Sequence, residues 1–90
     1  MDTEKLQSWL SNLISGLVTY PEEIKIEKSI DEIGVLFTIK VHNEDKGKVI
    51  GKEGTIANAI RIVLRSSGQI MNLRATMKID ADGFQLKNRD

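Results

Sequence analysis

The chain has 90 residues, of which 40% are hydrophobic and 29% charged, with a formal net charge of zero and no cysteine. A chain of this length holds one domain, and this composition excludes the disordered, collagen-like and membrane-spanning classes. The lack of cysteine excludes disulfides and thiolate metal sites, and the first residues do not resemble a signal or transit peptide, so the cytoplasm is the expected location.

The first segment is predicted to form an amphipathic helix that packs against a sheet. Its apolar residues recur three or four positions apart, which places them on one side of a helix. Asp2 or Thr3 is expected to cap the start, and the helix should end at Tyr20, because the residue before a proline avoids helical geometry. The apolar residues are Leu6, Trp9, Leu10, Leu13, Ile14 and Leu17.

Three stretches alternate apolar and polar residues and are predicted to be half-buried strands, over residues 24–30, 35–41 and 73–79. Asp31 and Gly34 supply turn residues between the first two strands, which predicts an antiparallel hairpin. Because each strand has one apolar face, every helix must lie on the same side of the sheet. The expected fold is α+β, a two-layer sandwich of order α-β-β-α-α-β, with three helices on one face of a three-stranded sheet.

Two helices and a tight turn are predicted between the second and third strands. Asn43 is expected to cap a short helix that has acidic residues in its first turn and ends at Gly51. A longer helix begins at Thr55 and is expected to end with Gly68 as its cap. The predicted buried residues of this longer helix are Ile56, Ala59, Ile60, Val63 and Leu64.

The turn between these helices, Gly51-Lys52-Glu53-Gly54, has the features of an anion site. Its two glycines permit positive φ and let another backbone approach closely. The following helix begins at Thr55, where free N–H groups and the positive end of the helix dipole favour phosphate, and Lys52 adds a positive charge. The alternative is that the glycines only allow the backbone to make a tight turn between the two helices.

The zero net charge hides a strong asymmetry along the chain. Residues 1–45 contain nine acidic and four basic side chains, a net charge of −5, whereas residues 46–90 contain four acidic and nine basic, a net charge of +5. Between Lys46 and Arg74 six basic residues accompany the single acid Glu53, which favours a phosphate-bearing partner. The alternative is an ordinary solvated surface.

Catalytic, metal and nucleotide sites find no support in the sequence. A nucleotide-binding P-loop needs four residues between its glycines and a hydroxyl after the lysine, but only three separate Gly47 from Gly51, and Glu53 follows Lys52. His42 is the single histidine and has no cysteine or second histidine to complete a metal or nucleophile pair. A binding protein without cofactor, rather than an enzyme, is therefore expected.

The run from Gly47 to Arg61 reads GKVIGKEGTIANAIR and resembles the signature of KH domains, in which V-I-G-x-x-G lies between two helices. The element order resembles that of the type II KH fold. The short chain, with Tyr-Pro-Glu-Glu after the first helix, is similar to the KhpA family of small bacterial KH-domain proteins. The resemblance implies one KH domain over residues 1–81 and a short tail over 82–90.

The resemblance also implies a function and a set of contacts. A KH domain clamps about four nucleotides of single-stranded RNA, with phosphates against the glycine loop and bases over an adjacent groove. Glu53 departs from this chemistry because its carboxylate repels phosphate, so modest affinity and marked salt dependence are expected. The implied RNA-binding residues are Lys46, Lys48, Val49, Ile50, Gly51, Lys52, Glu53, Gly54, Thr55, Asn58 and Arg61, with Arg65 and Arg74 as weaker candidates.

Partners and biological role follow from the same resemblance. The implied RNA is ribosomal RNA or many transcripts, and the implied role is that of a post-transcriptional regulator or RNA chaperone. A homodimer, or a heterodimer with a larger Jag-type KH protein, is also implied, and pairing would raise the effective concentration of a four-nucleotide site. The alternative function is a dimerisation adaptor with weak or no RNA binding.

Overall fold

A computed structural model describes residues 2–80, in which three helices pack against a three-stranded sheet. The order α-β-β-α-α-β confirms the predicted α+β sandwich. The predicted boundary between domain and tail, at residues 81 and 82, lies outside the described residues. The elements are α1 (Asp2–Ser15), β1 (Lys25–Ile30), β2 (Val35–Lys40), α2 (Lys46–Ile50), α3 (Thr55–Ile70) and β3 (Ala75–Ile79), with short 3-10 turns at Pro21–Glu23, Asn43–Asp45 and Lys52–Gly54.

The sheet has the order β1-β2-β3 and is mixed. Strand β2 pairs with β1 in antiparallel fashion, which confirms the predicted hairpin, and with β3 in parallel fashion. The hairpin turn is held by Asp31, whose Oδ1 accepts the N–H groups of Ile33 at 2.8 Å and Gly34 at 3.1 Å. The parallel pair requires a crossover connection, and α2 and α3 provide it.

The hydrophobic core lies between the helices and one face of β2 and β3. Alternate residues of β2 are buried, which is the signature of a strand with one covered face. All three helices contribute side chains to this single cluster, as expected for a two-layer domain. Its members are Leu6, Leu10, Ile14, Val35, Phe37, Ile39, Val41, Val49, Ile60, Leu64, Ala75 and Met77.

The prediction of a half-buried first strand was wrong for most of β1. Only Ile26 of this strand is partly buried, and Ile30 is 61% exposed. The physical reason is position, because β1 is an edge strand and the helical layer reaches only its first half. There Gln7 of α1 donates a hydrogen bond from Nε2 to the carbonyl of Ile26 at 3.1 Å.

Helix α1 is shorter than predicted and ends at Ser15. The chain leaves the helix through a turn in which the N–H groups of Gly16 and Leu17 donate to Leu13 and Ile14. The predicted helix end at Tyr20 was wrong. Leu17 continues the apolar pattern and packs on the core, but it lies in the turn that follows the helix.

Helix α3 differs from prediction in its length and in its buried face. It continues to Ile70, so Gly68 is not its cap. Instead, Gly68 is buried where the helix meets the chain entering β3, and an added Cβ would lie 2.4 Å from the carbonyl oxygen of Leu73. The left-handed residue after the helix is Asn72, with φ of 59°. The buried residues are Ala57, Ile60, Leu64 and Gly68, whereas Ala59 and Val63 are exposed.

Candidate nucleic-acid interface

The turn between α2 and α3, residues 51–54, is called the glycine loop. Three of its four residues have positive φ, namely Gly51 at 79°, Glu53 at 57° and Gly54 at 78°. Lys52 and Glu53 are exposed and Gly54 is half-exposed. The predicted bend therefore forms and is accessible to solvent.

The two glycines of the loop have different surroundings. Gly51 is buried, and a Cβ added there would lie 2.6 Å from Cγ1 and 2.7 Å from the backbone nitrogen of Ile56. A Cβ added at Gly54 would meet nothing within 4 Å. Sequence reasoning treated both glycines as open to an approaching strand, but only Gly54 has open space beside it.

Glu53 occupies a backbone conformation that is unfavourable for its type. Its φ of 57° and ψ of 27° lie in the left-handed region, which costs a residue with a side chain about 1–2 kcal/mol. Its side chain is exposed, so its carboxylate stands in the loop as the sequence predicted. Glu53 is thus unfavourable both for the backbone and for an anionic partner.

The start of α3 faces the glycine loop. Gly54, the N-cap residue that precedes it, provides no side-chain cap, and the helix is 16 residues long. The N–H of Thr55 and also its hydroxyl donate to the carbonyl of Lys52, and the N–H of Gly54 donates to Gly51 at 3.1 Å. The helix therefore begins with N–H groups that no side chain caps, at the positive end of its dipole.

The three lysines near the loop differ in accessibility. Lys52 is exposed, whereas Lys46 at the start of α2 is only 7% exposed. Lys48 lies against the joint between α1 and β1, where its Nζ is 3.2 Å from Asp45 Oδ1 and also donates to Thr19 Oγ1. Lys52 is therefore the lysine that extends from the loop into solvent, and Lys48 is partly engaged in holding α2 in place.

Asp45 is a fully buried carboxylate that sequence reasoning placed only in a helix first turn. Its two oxygens accept the backbone N–H groups of Thr19 and Tyr20, both at 2.9 Å. Burial alone raises the pKa of Asp45, but these two N–H donors and the ammonium of Lys48 outweigh burial and lower the pKa below its usual value. Asp45 thereby fastens the segment that precedes the glycine loop to the connection between α1 and β1.

Tyr20 and His42 complete this joint. Their rings stack with centroids 4.2 Å apart, and the hydroxyl of Tyr20 donates to Glu44 Oε1 at 3.3 Å. The Glu44 carboxylate raises the pKa of Tyr20, because ionisation would place a second negative charge beside it. His42 Nδ1 accepts the N–H of Glu44 at 3.0 Å, so His42 and not Asn43 caps the turn before α2, because Asn43 lies one residue too late.

The remaining predicted site residues lie on α2 and on the side of α3 that faces β3. Val49 is fully buried and Ile50 is half-buried. Asn58 is exposed one turn into α3. Arg61 is half-buried, and its Nε donates to the carbonyl of Met77 on β3 at 3.1 Å. The hydrogen bond of Arg61 thus connects the first half of α3 to β3.

Comparison with known proteins decides the family. The profile described as "KhpA/KhpB, KH domain" matches residues 7–79, which is most of the chain. The chain belongs to the KhpA/KhpB KH-domain family. No solved structure matches the chain.

Relatives named "RNA-binding protein KhpA" are similar to this KhpA/KhpB-family chain over most of its length. The protein of Oceanobacillus iheyensis is 42% identical over 82% of this chain and 99% of its own. The proteins of Clostridium acetobutylicum and Bacillus subtilis are 35% and 31% identical, over 82% and 76% of this chain and 99% and 84% of their own. The family resemblance read from the GKVIGKEG motif is confirmed.

Membership in the KhpA/KhpB family also confirms that this is a binding protein and not an enzyme. Over residues 2–80, no group of three or more His, Asp or Glu side chains is arranged to hold a metal ion. Among the helices described, none combines the length and the apolar character that crossing a membrane requires.

Proposed function

We propose that this protein binds single-stranded RNA and holds about four nucleotides of its backbone against the glycine loop. The observation that carries the proposal is the open space at Gly54, where an added Cβ would meet nothing within 4 Å, beside the uncapped start of α3. A phosphate can approach the main chain there, at the positive end of the helix dipole. The relatives' name, "RNA-binding protein KhpA", supports the same ligand.

The predicted contact residues have distinct roles in this proposal. Lys52 and Gly54 meet the phosphates directly, and Thr55 marks the helix start that faces them. Gly51 and Val49 are buried and shape the loop from beneath, while Ile50, Asn58 and Arg61 border the groove where bases lie. Lys46 and Lys48 add positive potential from partly or fully covered positions.

The charges of the glycine loop predict weak binding of RNA at the proposed site. Glu53 places a negative charge between the two glycines, and Lys52 offsets that charge without producing a surplus. Most of the attraction then comes from phosphate contacts, which displace condensed counterions and weaken as salt rises. We therefore propose modest affinity and broad sequence tolerance, as suits a cytoplasmic regulator or RNA chaperone that acts on ribosomal RNA or on many transcripts.

The double variant Lys52→Asp with Glu53→Asp tests the clamp. It changes the loop from neutral to doubly negative and should reduce affinity for single-stranded RNA by at least about tenfold and abolish ultraviolet crosslinking. Lys28→Asp is the matched control, because it makes the same change in net charge on the exposed strand β1. Circular dichroism should show that both variants keep the fold.

Unchanged crosslinking in the loop variant, or an equal loss in the Lys28 control, would contradict the clamp. If the wild-type protein binds no RNA but co-purifies with a protein partner, its function is that of a dimerisation adaptor and not of an RNA clamp.

A second proposed property, assembly into a homodimer, rests on α3. Its outward side carries Ile62, Val63 and Ile70, which are 50%, 48% and 85% exposed. Three large apolar side chains exposed along one helix favour an interface, and two copies of α3 can meet across a two-fold axis through one self-complementary surface. A second copy of this chain is the proposed occupant, because pairing doubles the number of four-nucleotide sites on one assembly and raises avidity.

Ile62→Glu should convert the dimer to a monomer in sedimentation velocity, because a charge would be buried at the contact. Ile33→Glu is the matched control, since Ile33 is 68% exposed at the hairpin turn, away from α3, and should leave the dimer intact. A wild-type protein that sediments as a monomer at high concentration would contradict the homodimer. If the protein assembles only with a larger KH protein, the assembly is a heterodimer with that protein and not a homodimer.

A further inference from the structure

A cavity of about 600 Å³ lies at the far end of α3, between that helix and the beginning of β3. This volume is within the range of small-ligand sites, about 300–1,000 Å³. Arg65 and Gln69 line it from α3, and Arg74 and Thr76 line it from the strand side, with Asn72 between. The cavity is distinct from the glycine loop, which lies at the opposite end of the same helix.

The charge of this cavity is positive. Arg65 and Arg74 are both exposed, and no residue that lines the cavity is acidic. Within residues 2–80 neither guanidinium forms a hydrogen bond or an ion pair. The nearby carboxylate of Asp31, which lines a smaller cleft with Arg74, already accepts two backbone N–H groups. Two unengaged guanidinium groups on facing walls suit phosphate, which arginine binds in a two-pronged geometry.

A polar strip on α3 connects the glycine loop to this cavity. Asn58, Arg61, Arg65 and Gln69 are spaced three or four residues apart and therefore share one side of the helix. The hydrogen bond from Arg61 Nε to Met77 fixes that side toward β3. Arg65 lies ten residues after Thr55, which is about 15 Å along the helix at a rise of about 1.5 Å per residue.

We infer that this cavity is a second RNA contact, which takes the nucleotides that continue from those held at the glycine loop. The inference rests on the proposed function and extends it. Arg65 and Arg74 bind phosphate, while the amides of Gln69 and Asn72 and the hydroxyl of Thr76 offer donors and acceptors to base edges. The binding footprint is then longer than the four nucleotides of the loop, and affinity rises with RNA length until the cavity is filled.

The double variant Arg65→Gln with Arg74→Gln tests this second contact. Fluorescence anisotropy is measured with single-stranded RNAs of about four and about eight nucleotides. Affinity for the longer RNA should fall about tenfold and its salt dependence should decrease, whereas affinity for the shorter RNA should not change. The matched control, Lys25→Gln with Lys28→Gln, removes the same charge from β1, at the other edge of the sheet, and should leave both affinities nearly unchanged.

The outcomes separate this inference from the proposed function. Equal affinity of the wild type for both lengths, or equal behaviour of the arginine variant and its control, overturns the second contact and leaves the clamp standing. A wild-type protein that binds neither RNA overturns both. An arginine variant that loses both RNAs equally shows a general charge effect and also overturns the second contact.

Discussion

Replacing Gly51 with alanine should lower the free energy of unfolding by about 3 kcal/mol or more, because a side chain there needs an unfavourable φ and collides with the backbone of Ile56. The same replacement at Gly54 should cost only about 1 kcal/mol, since φ is equally positive but the space is open. Urea unfolding of the two variants measures the difference.

This pair of variants separates two roles that a G-x-x-G motif combines. Gly51 serves the packing of the loop against α3, and Gly54 serves access from outside. If the two variants lose equal stability, the loop is not packed as described and the distinction between the glycines is wrong.

Replacing Asp45 with asparagine should lower the melting temperature at pH 7 by at least about 5 °C. The uncharged amide presents one oxygen in place of two, so it cannot accept the N–H groups of both Thr19 and Tyr20, and Lys48 loses its buried partner. Glu44→Gln is the matched control, because Glu44 is the exposed neighbouring acid and should change the melting temperature little.

The effect of Asp45 should depend on pH in a defined direction. Its pKa in the folded protein lies below the usual 3.8, because the N–H donors and Lys48 outweigh burial. Its ionised form therefore stabilises the fold above pH 3.8, and this contribution disappears as pH falls through the lower folded-state pKa. The difference in melting temperature between wild type and Asp45→Asn should shrink below pH 3.8, and a difference that is constant or grows on acidification would contradict the described role.

Features that depend on neighbouring residues could be predicted from the sequence. The hairpin follows from two alternating stretches separated by Asp31 and Gly34, and the glycine loop follows from two glycines between helical patterns. The element order then follows from the periods of the segments, because strands repeat every two residues and helices every 3.6.

Features that depend on distant parts of the chain could not be predicted in this way. The partners of Asp45 are backbone N–H groups 25 and 26 residues earlier, and no side-chain pattern marks them. The buried face of α3 is rotated from the predicted one, with Ala57 in place of Ala59, because the helix is apolar on two sides and only the position of the sheet decides which side is covered. Gly68 was also predicted wrongly, as a helix cap. Its close contact is with Leu73, at the entry to the next strand, and the local sequence does not reveal this contact.

The most direct test of the glycine loop as the RNA site is an NMR titration of the ¹⁵N-labelled protein with single-stranded RNA of about four nucleotides. This assignment of the site predicts that the largest amide shifts occur at residues 52–57, in the loop and the first turn of α3, and that they diminish as salt rises. Shifts confined to β1, or to the outward side of α3 around Ile62, with the loop unaffected, would contradict it.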